Sequence, residues 1–120
     1  MASFRIDIPA DPSWLHVARA TAVHGAAALG LPVDVVDDIT LAVGEAMLEV
    51  CVTPGITELS LTAEPSDDGM GVQISGRGEE IEYAHGVGSV IDAVLNGLTV
   101  NPAVRRGPAE YSIRFAVTGR

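Results

Sequence analysis

A two-layer α/β sandwich, one sheet covered on one face by three helices, is the fold that this 120-residue chain predicts. Three observations carry that expectation. Short runs of period-two alternation occur in hairpin-like pairs, which favours a mixed, mostly antiparallel sheet. Three segments place their apolar residues on one helical side only, and such a stripe needs a sheet face to cover. The length suits a single domain, and no internal repeat, linker or low-complexity stretch divides it, so residues 1–120 are read as one unit.

Residues 3–8 (SFRIDI) alternate Phe4, Ile6 and Ile8 with Ser3, Arg5 and Asp7, the pattern of a half-buried strand. Asp11-Pro12 supplies an N-cap and a proline for the first helical position, where its missing N–H is not needed. Leu15, Ala18, Ala22, Ala26 and Leu29 then share one face, and Gly30 suits the position that ends a helix. Pro32 allows another helix to start at once. That helix, from about 33 to 52, is lined by Val35, Val36, Ile39, Ala42, Val43, Ala46 and Val50. Asp38, Leu41, Glu45 and Glu49 form an adjoining stripe with three carboxylates, and Thr53-Pro54-Gly55 stops the helix.

Leu59, Leu61 and Ala63 alternate with polar residues, residues 65–69 (PSDDG) have turn chemistry, and Val72 and Ile74 resume the alternation. A hairpin over 57–76 follows. Residues 76–86 (GRGEEIEYAHG) are polar and Gly-punctuated and read as a mobile loop. Val90, Ile91, Val94 and Leu95 predict a short helix over 88–96 closed by Gly97. Residues 98–101 read as a short strand, 102–108 as a turn carrying Arg105 and Arg106, and 111–117 as the last strand, through Ile113, Phe115 and Val117. The order is β-α-α-β-β-loop-α-β-β.

Composition removes several functions. Seven Arg and no Lys face sixteen acidic residues, for a formal charge of -9. No basic patch is available for nucleic acid, and no polybasic segment for a membrane surface. The absence of Lys excludes a phosphate-binding loop of the GxxxxGK type and Schiff-base chemistry. Cys51 is the single cysteine, so no intrachain disulfide or cysteine-based zinc site is expected. The apolar stretch 18–36 is interrupted by Arg19, His24, Gly30, Pro32 and Asp34 and is no transmembrane helix. The N-terminus lacks the pattern of a signal peptide, so a cytoplasmic location is expected. His16 and His24 have no third ligand near them and read as surface residues, as does His85. Cys51 reads as packed and Trp14 as a cap over the first helical turn.

The segment 37–46 (DDITLAVGEA) resembles the hallmark helix of bacterial anti-sigma factors, the RsbW-like serine-protein kinases of the GHKL or histidine-kinase-like ATPase superfamily. The element order is similar to that family's Bergerat fold, from Ile8-Pro9-Ala10 to the last strand. The resemblance implies that Glu45 stands where the family has its general base. Glu49 stands where the family has an Asn that holds the magnesium of a bound ATP. The family's Asp-x-Gly-x-Gly box matches residues 76–80 (GRGEE): Gly76 replaces the Asp that would read the adenine amino group, Gly78 is kept, and Glu80 replaces the second Gly. A Gly-x-Gly box survives as Gly86-Val87-Gly88, and Ser112 is the hydroxyl nearest to the family's final Thr.

Glu45, Glu49, Gly78, Gly86, Gly88 and Ser112 would therefore outline a vestigial nucleotide site. A site stripped of its adenine-reading carboxylate loses its main polar determinant. The expected function is regulation of the anti-sigma type: binding a sigma factor, an anti-anti-sigma (STAS) protein, or both, with no cofactor and with stoichiometric sequestration in place of phosphotransfer. A homodimer is compatible with the resemblance. The alternative is an active ATP- and magnesium-dependent serine/threonine kinase acting on a STAS partner, with Glu45 as base and Glu49 on the metal. A module related to a larger multidomain regulator is a third reading.

Overall fold

The computed structural model describes residues 3–83 and 90–119. Among them run strand β1 (Phe4–Pro9), a 3-10 turn (Pro12–Trp14), helices α1 (Leu15–Ala28) and α2 (Val33–Cys51), strands β2 (Ile56–Ser66) and β3 (Gly69–Gly78), helix α3 (Val90–Leu98), and strands β4 (Val100–Arg106) and β5 (Glu110–Thr118). The five strands form one sheet in the order β1-β2-β3-β5-β4. Every pairing among them is antiparallel, so the expected mixture is absent. The reason is the pair of helices between β1 and β2: α1 carries the chain back and α2 returns it, so β2 must run against β1.

The sheet's alternation sorts its two faces. Leu59, Leu61, Ala63, Met70, Val72, Ile74, Tyr111, Ile113, Phe115 and Val117 point to the helices and are buried. They meet Ala18, Ala22 and Ala26 of α1, the Ile39–Val50 face of α2, and Ile91 and Leu95 of α3 in one core. The opposite face is uncovered and polar. One row across it reads Asp7, Ser60, Ser75, Ser112 and Arg105 in register. At its edge the Asp7 carboxyl is held below its usual range by the Ser60 hydroxyl and then by the Arg5 guanidinium, 3.1 Å away.

Several expected boundaries move: α3 runs through Gly97 to Leu98, and β2 continues to Ser66. β4 runs to Arg106 instead of ending at Asn101, so Arg105 and Arg106 are strand residues paired with Ser112 and Tyr111. Pro102, a turn signal in sequence, is tolerated because β4 is an edge strand, with a register slip between Val100 and Ala103 and Asn101 at φ 52. β3 likewise runs on to Gly78, so the first three residues of the expected loop are sheet. Residues 79–82 are tied down: Glu79 N–H donates to Gly55 O (3.2 Å), Ile81 N–H to Pro108 O (3.4 Å) and Glu82 N–H to Pro54 O (3.0 Å). Asp11 caps as expected, its side chain accepting from Ser13 N–H at 3.0 Å, but it opens the 3-10 turn that precedes α1. His85, Gly86 and Gly88 lie outside the described residues.

Candidate functional site

α2 is the central helix, flanked by α1 and α3. Its buried face is aliphatic, which turns the four-residue repeat Glu45, Glu49 to one side of the layer. The two carboxylates nevertheless meet different surroundings. Glu49 leans over the start of β5, where its Oε2 accepts a hydrogen bond from the Tyr111 hydroxyl at 3.0 Å. Glu45, half-buried, lines a groove of about 300 Å³ between α1 and α2 with Arg19, Asp37, Thr40, Leu41 and Gly44.

Tyr111 is fully buried on the helix side of β5. The ring of Tyr83 stands edge-on to it, with centroids 5.0 Å apart and planes at 85°. The Arg106 guanidinium carbon lies 5.5 Å from the Tyr111 ring centre. Tyr83 is anchored in turn, its hydroxyl donating to Gly107 O at 2.6 Å, with Glu110 O 3.1 Å away. The result is a packed aromatic plug beside Glu49 where the resemblance would put part of a nucleotide pocket. Burial, followed by the hydrogen bond to Glu49 and its charge, pushes the Tyr111 phenol up to about 12. Burial also raises Tyr83.

A raised tyrosine pKa favours the folded state below the unfolded value, and that contribution is lost as pH climbs from about 10 towards 12. Spectrophotometric titration of tyrosinate should therefore show both tyrosines ionising late. Replacing Glu49 with Gln should move the Tyr111 step downward. A pair of ordinary midpoints near 10 would contradict the buried pair.

Gly76 lies opposite Tyr111 in the β3–β5 register. There is no room above it: a Cβ would overlap Val50 Cγ1 and stand 3.0 Å from both Cδ1 and Cγ2 of Ile56. The missing adenine-reading carboxylate is thus matched by a filled space. Gly78 has a packing role of its own. A Cβ there would collide with Gly55 O, because the end of β3 crosses the α2–β2 turn at backbone contact, while Gly78 N–H donates to Ala109 O at 3.1 Å.

Ser112 does not join Glu45 and Glu49. Alternation along β5 gives the helix side to Tyr111 and Ile113 and turns Ser112 to the open face. There it borders a recess of about 100 Å³ with Gln73, Ala103, Arg105, Glu110 and Arg114.

Two of the positions that the resemblance assigns to a magnesium–nucleotide are already occupied by contacts within the chain. One oxygen of Glu49 is engaged by Tyr111, and the base-reading position is packed shut. Among the described residues, no group of three or more His, Cys, Asp or Glu side chains gathers into a metal cluster. His16 and His24 are exposed. Cys51 is buried, and that burial pushes its thiol up, away from nucleophilic use. Trp14 is 45% exposed, so it covers the helix start only in part.

The plug was open to sequence reasoning. Tyr111 heads the alternation that buries Ile113, Phe115 and Val117, and a phenol in that register must find a polar partner. Tyr83 and Arg106 gave no such signal, since their placement depends on two turns that meet only in three dimensions.

No family model matches the sequence, and no curated protein does. Among solved structures, the chain is similar to the RsbU and RsbW domains of Rv1364c from Mycobacterium tuberculosis, at 15% identity with a TM-score of 0.78. The match covers 98% of this chain and 32% of that one, so this chain spans about a third of its neighbour's length. The likeness is one of fold, and the five-stranded antiparallel sheet with three helices is compatible with an RsbW-like fold. No helix among the described residues is long and apolar enough to cross a membrane.

Proposed function

We propose that this chain is a partner-switching regulator of the anti-sigma type, which holds a sigma factor or a STAS anti-anti-sigma protein by stoichiometric binding and transfers no phosphate efficiently. The observation that carries the reading is the state of the ancestral pocket. Gly76 is packed against Val50 and Ile56, and Glu49 is bonded to the buried Tyr111. A side chain that bonds a phenol across a packed layer is poorly placed to ligate a hydrated cation as well. The RsbW-like fold supports the partner class, because the neighbouring structure carries an RsbW domain beside an RsbU domain. Glu45 keeps its place on α2 but has no nucleotide to act on; in this reading it belongs to the binding surface.

The test has two arms. Melting with and without magnesium-ATP should give superimposable curves. A ligand at one hundred times its dissociation constant would add about 2.7 kcal/mol, a shift of several degrees. Co-expression with the sigma factors and STAS proteins of the same genome should yield a stable complex with one of them. A clear shift with ATP, followed by phosphate transfer to a STAS protein, would overturn the proposal in favour of the kinase.

A further inference from the structure

Five large apolar side chains are exposed among the described residues: Trp14, Val33, Leu41, Leu48 and Val52. Three of them form a single feature. At 100° per residue, Leu41, Leu48 and Val52 fall within about 40° of arc, centred opposite the buried face of α2. They are 48%, 43% and 59% exposed although α1 and α3 flank the helix, so they stand as a ridge along its outer side. Core packing does not explain them, because the core face of α2 is filled by Val35, Ile39, Val43, Met47 and Val50.

Carboxylates outnumber cations around the ridge, four against the single guanidinium of Arg19 in the adjoining groove. Asp34, Asp37, Asp38 and Glu45 fall on the same outer arc, within about 60° of Leu41. Beside it opens the groove of about 300 Å³ whose floor is Gly44, with the Arg19 guanidinium laid against that glycine. Gly44 is what makes the depression. A Cβ there would stand 2.9 Å from Arg19 Nε, so any larger residue would displace the guanidinium and fill the groove.

We infer that this ridge and groove form the docking surface for a partner's amphipathic helix, one with an apolar stripe flanked by Lys or Arg. Resting on the regulatory reading above, the inference adds to it the face and the chemistry of the partner. Charge complementarity selects the occupant. A second copy of this chain would bring the same four carboxylates against their equals, in a protein with no Lys and a net charge of -9. An anionic lipid surface is repelled for the same reason. A basic helix meets the apolar ridge with its stripe and the acidic border with its flanks, the geometry of helix-in-groove recognition.

The test uses two synthetic helical peptides with an identical leucine stripe, one flanked by Lys and one by Glu, titrated into the isotopically labelled full chain. The Lys peptide should bind, weaken as salt rises, and shift the backbone amide signals of residues 37–52. The Glu peptide should not bind. The double substitution Leu41→Ser, Leu48→Ser should weaken the Lys peptide by about tenfold or more while leaving a cooperative melting curve shifted by only a few degrees, since both side chains are half in solvent.

Amide shifts confined to the open sheet face would overturn the assignment, and so would binding that is indifferent to the serine variant. Self-association abolished by that variant would instead make the occupant a second copy, and binding to phosphatidylserine vesicles would make it a lipid surface; either overturns the inference. The outcomes separate from those of the functional reading. A sigma or STAS complex that forms undiminished with the serine variant sinks the surface alone, whereas the Lys peptide docking on the ridge in a chain that holds neither partner sinks the regulatory reading alone.

Discussion

Replacing Tyr111 with Ala is expected to cost about 3–5 kcal/mol of folding stability, the range for deleting a fully buried aromatic side chain. Three losses converge at this position. The ring's packing under α2 disappears, the edge-on contact with Tyr83 goes with it, and the Arg106 guanidinium loses the face it lies over. Tyr111→Phe separates packing from polarity. It keeps the ring and removes only the bond to Glu49, whose half-buried carboxylate can turn to water, so its cost should be about 1 kcal/mol. Urea denaturation of the two variants measures both numbers. If Tyr111→Ala lost no more than Tyr111→Phe, the ring would not be a structural plug.

The second large effect is expected at Gly76. Introducing by Gly76→Asp the carboxylate that the resemblance would put there should destabilise the chain by more than about 3 kcal/mol and should not create an ATP site. Overpacking a filled core costs about 1–3 kcal/mol, and an uncompensated buried charge costs several more. Both apply, because the new side chain would be driven into the apolar side chains of Val50 and Ile56. Gly76→Ala should show the steric part alone. For the same reason Glu49→Asn, by itself, should leave the protein blind to nucleotide: it frees one side of the pocket while the base-reading side stays shut. Isothermal titration with magnesium-ATP decides the matter, and micromolar affinity in Glu49→Asn would refute this account.

Much of the architecture was legible because it rests on local periodicity. The alanine face of α1 and the aliphatic face of α2 were readable residue by residue, and so were the hairpin of β2 and β3 and the order of the elements. Boundaries failed where a residue's usual meaning was overridden by its place in the sheet. Pro102 signals a turn, yet an edge strand accepts it. Gly76 and Gly78 signal a loop, yet both sit in β3 because neighbouring backbone or side chains come too close for anything larger. The candidate site was legible as a set of positions, less so as a geometry. Glu45 and Glu49 were placed on one side of α2 by spacing alone. Ser112 was expected beside them, but strand alternation gives that side to Tyr111, and only the registered sheet reveals it. The outer ridge was hidden for another reason: Leu41 was read as part of an acidic stripe, and Leu48 and Val52 acquire meaning only once α1 and α3 are seen to leave them uncovered.

The edge formed by β4 has a bearing on behaviour at high concentration. Pro102 offers no amide hydrogen, Asn101 breaks the pleat with its positive φ, and Arg105 and Arg106 place two cations near the end of the strand. An incoming chain finds no straight hydrogen-bonding template there, and stacked copies would crowd their guanidinium groups. Fibrillar growth from this side is therefore disfavoured, which leaves β1, the sheet's other edge strand, as the border to which a further strand could add.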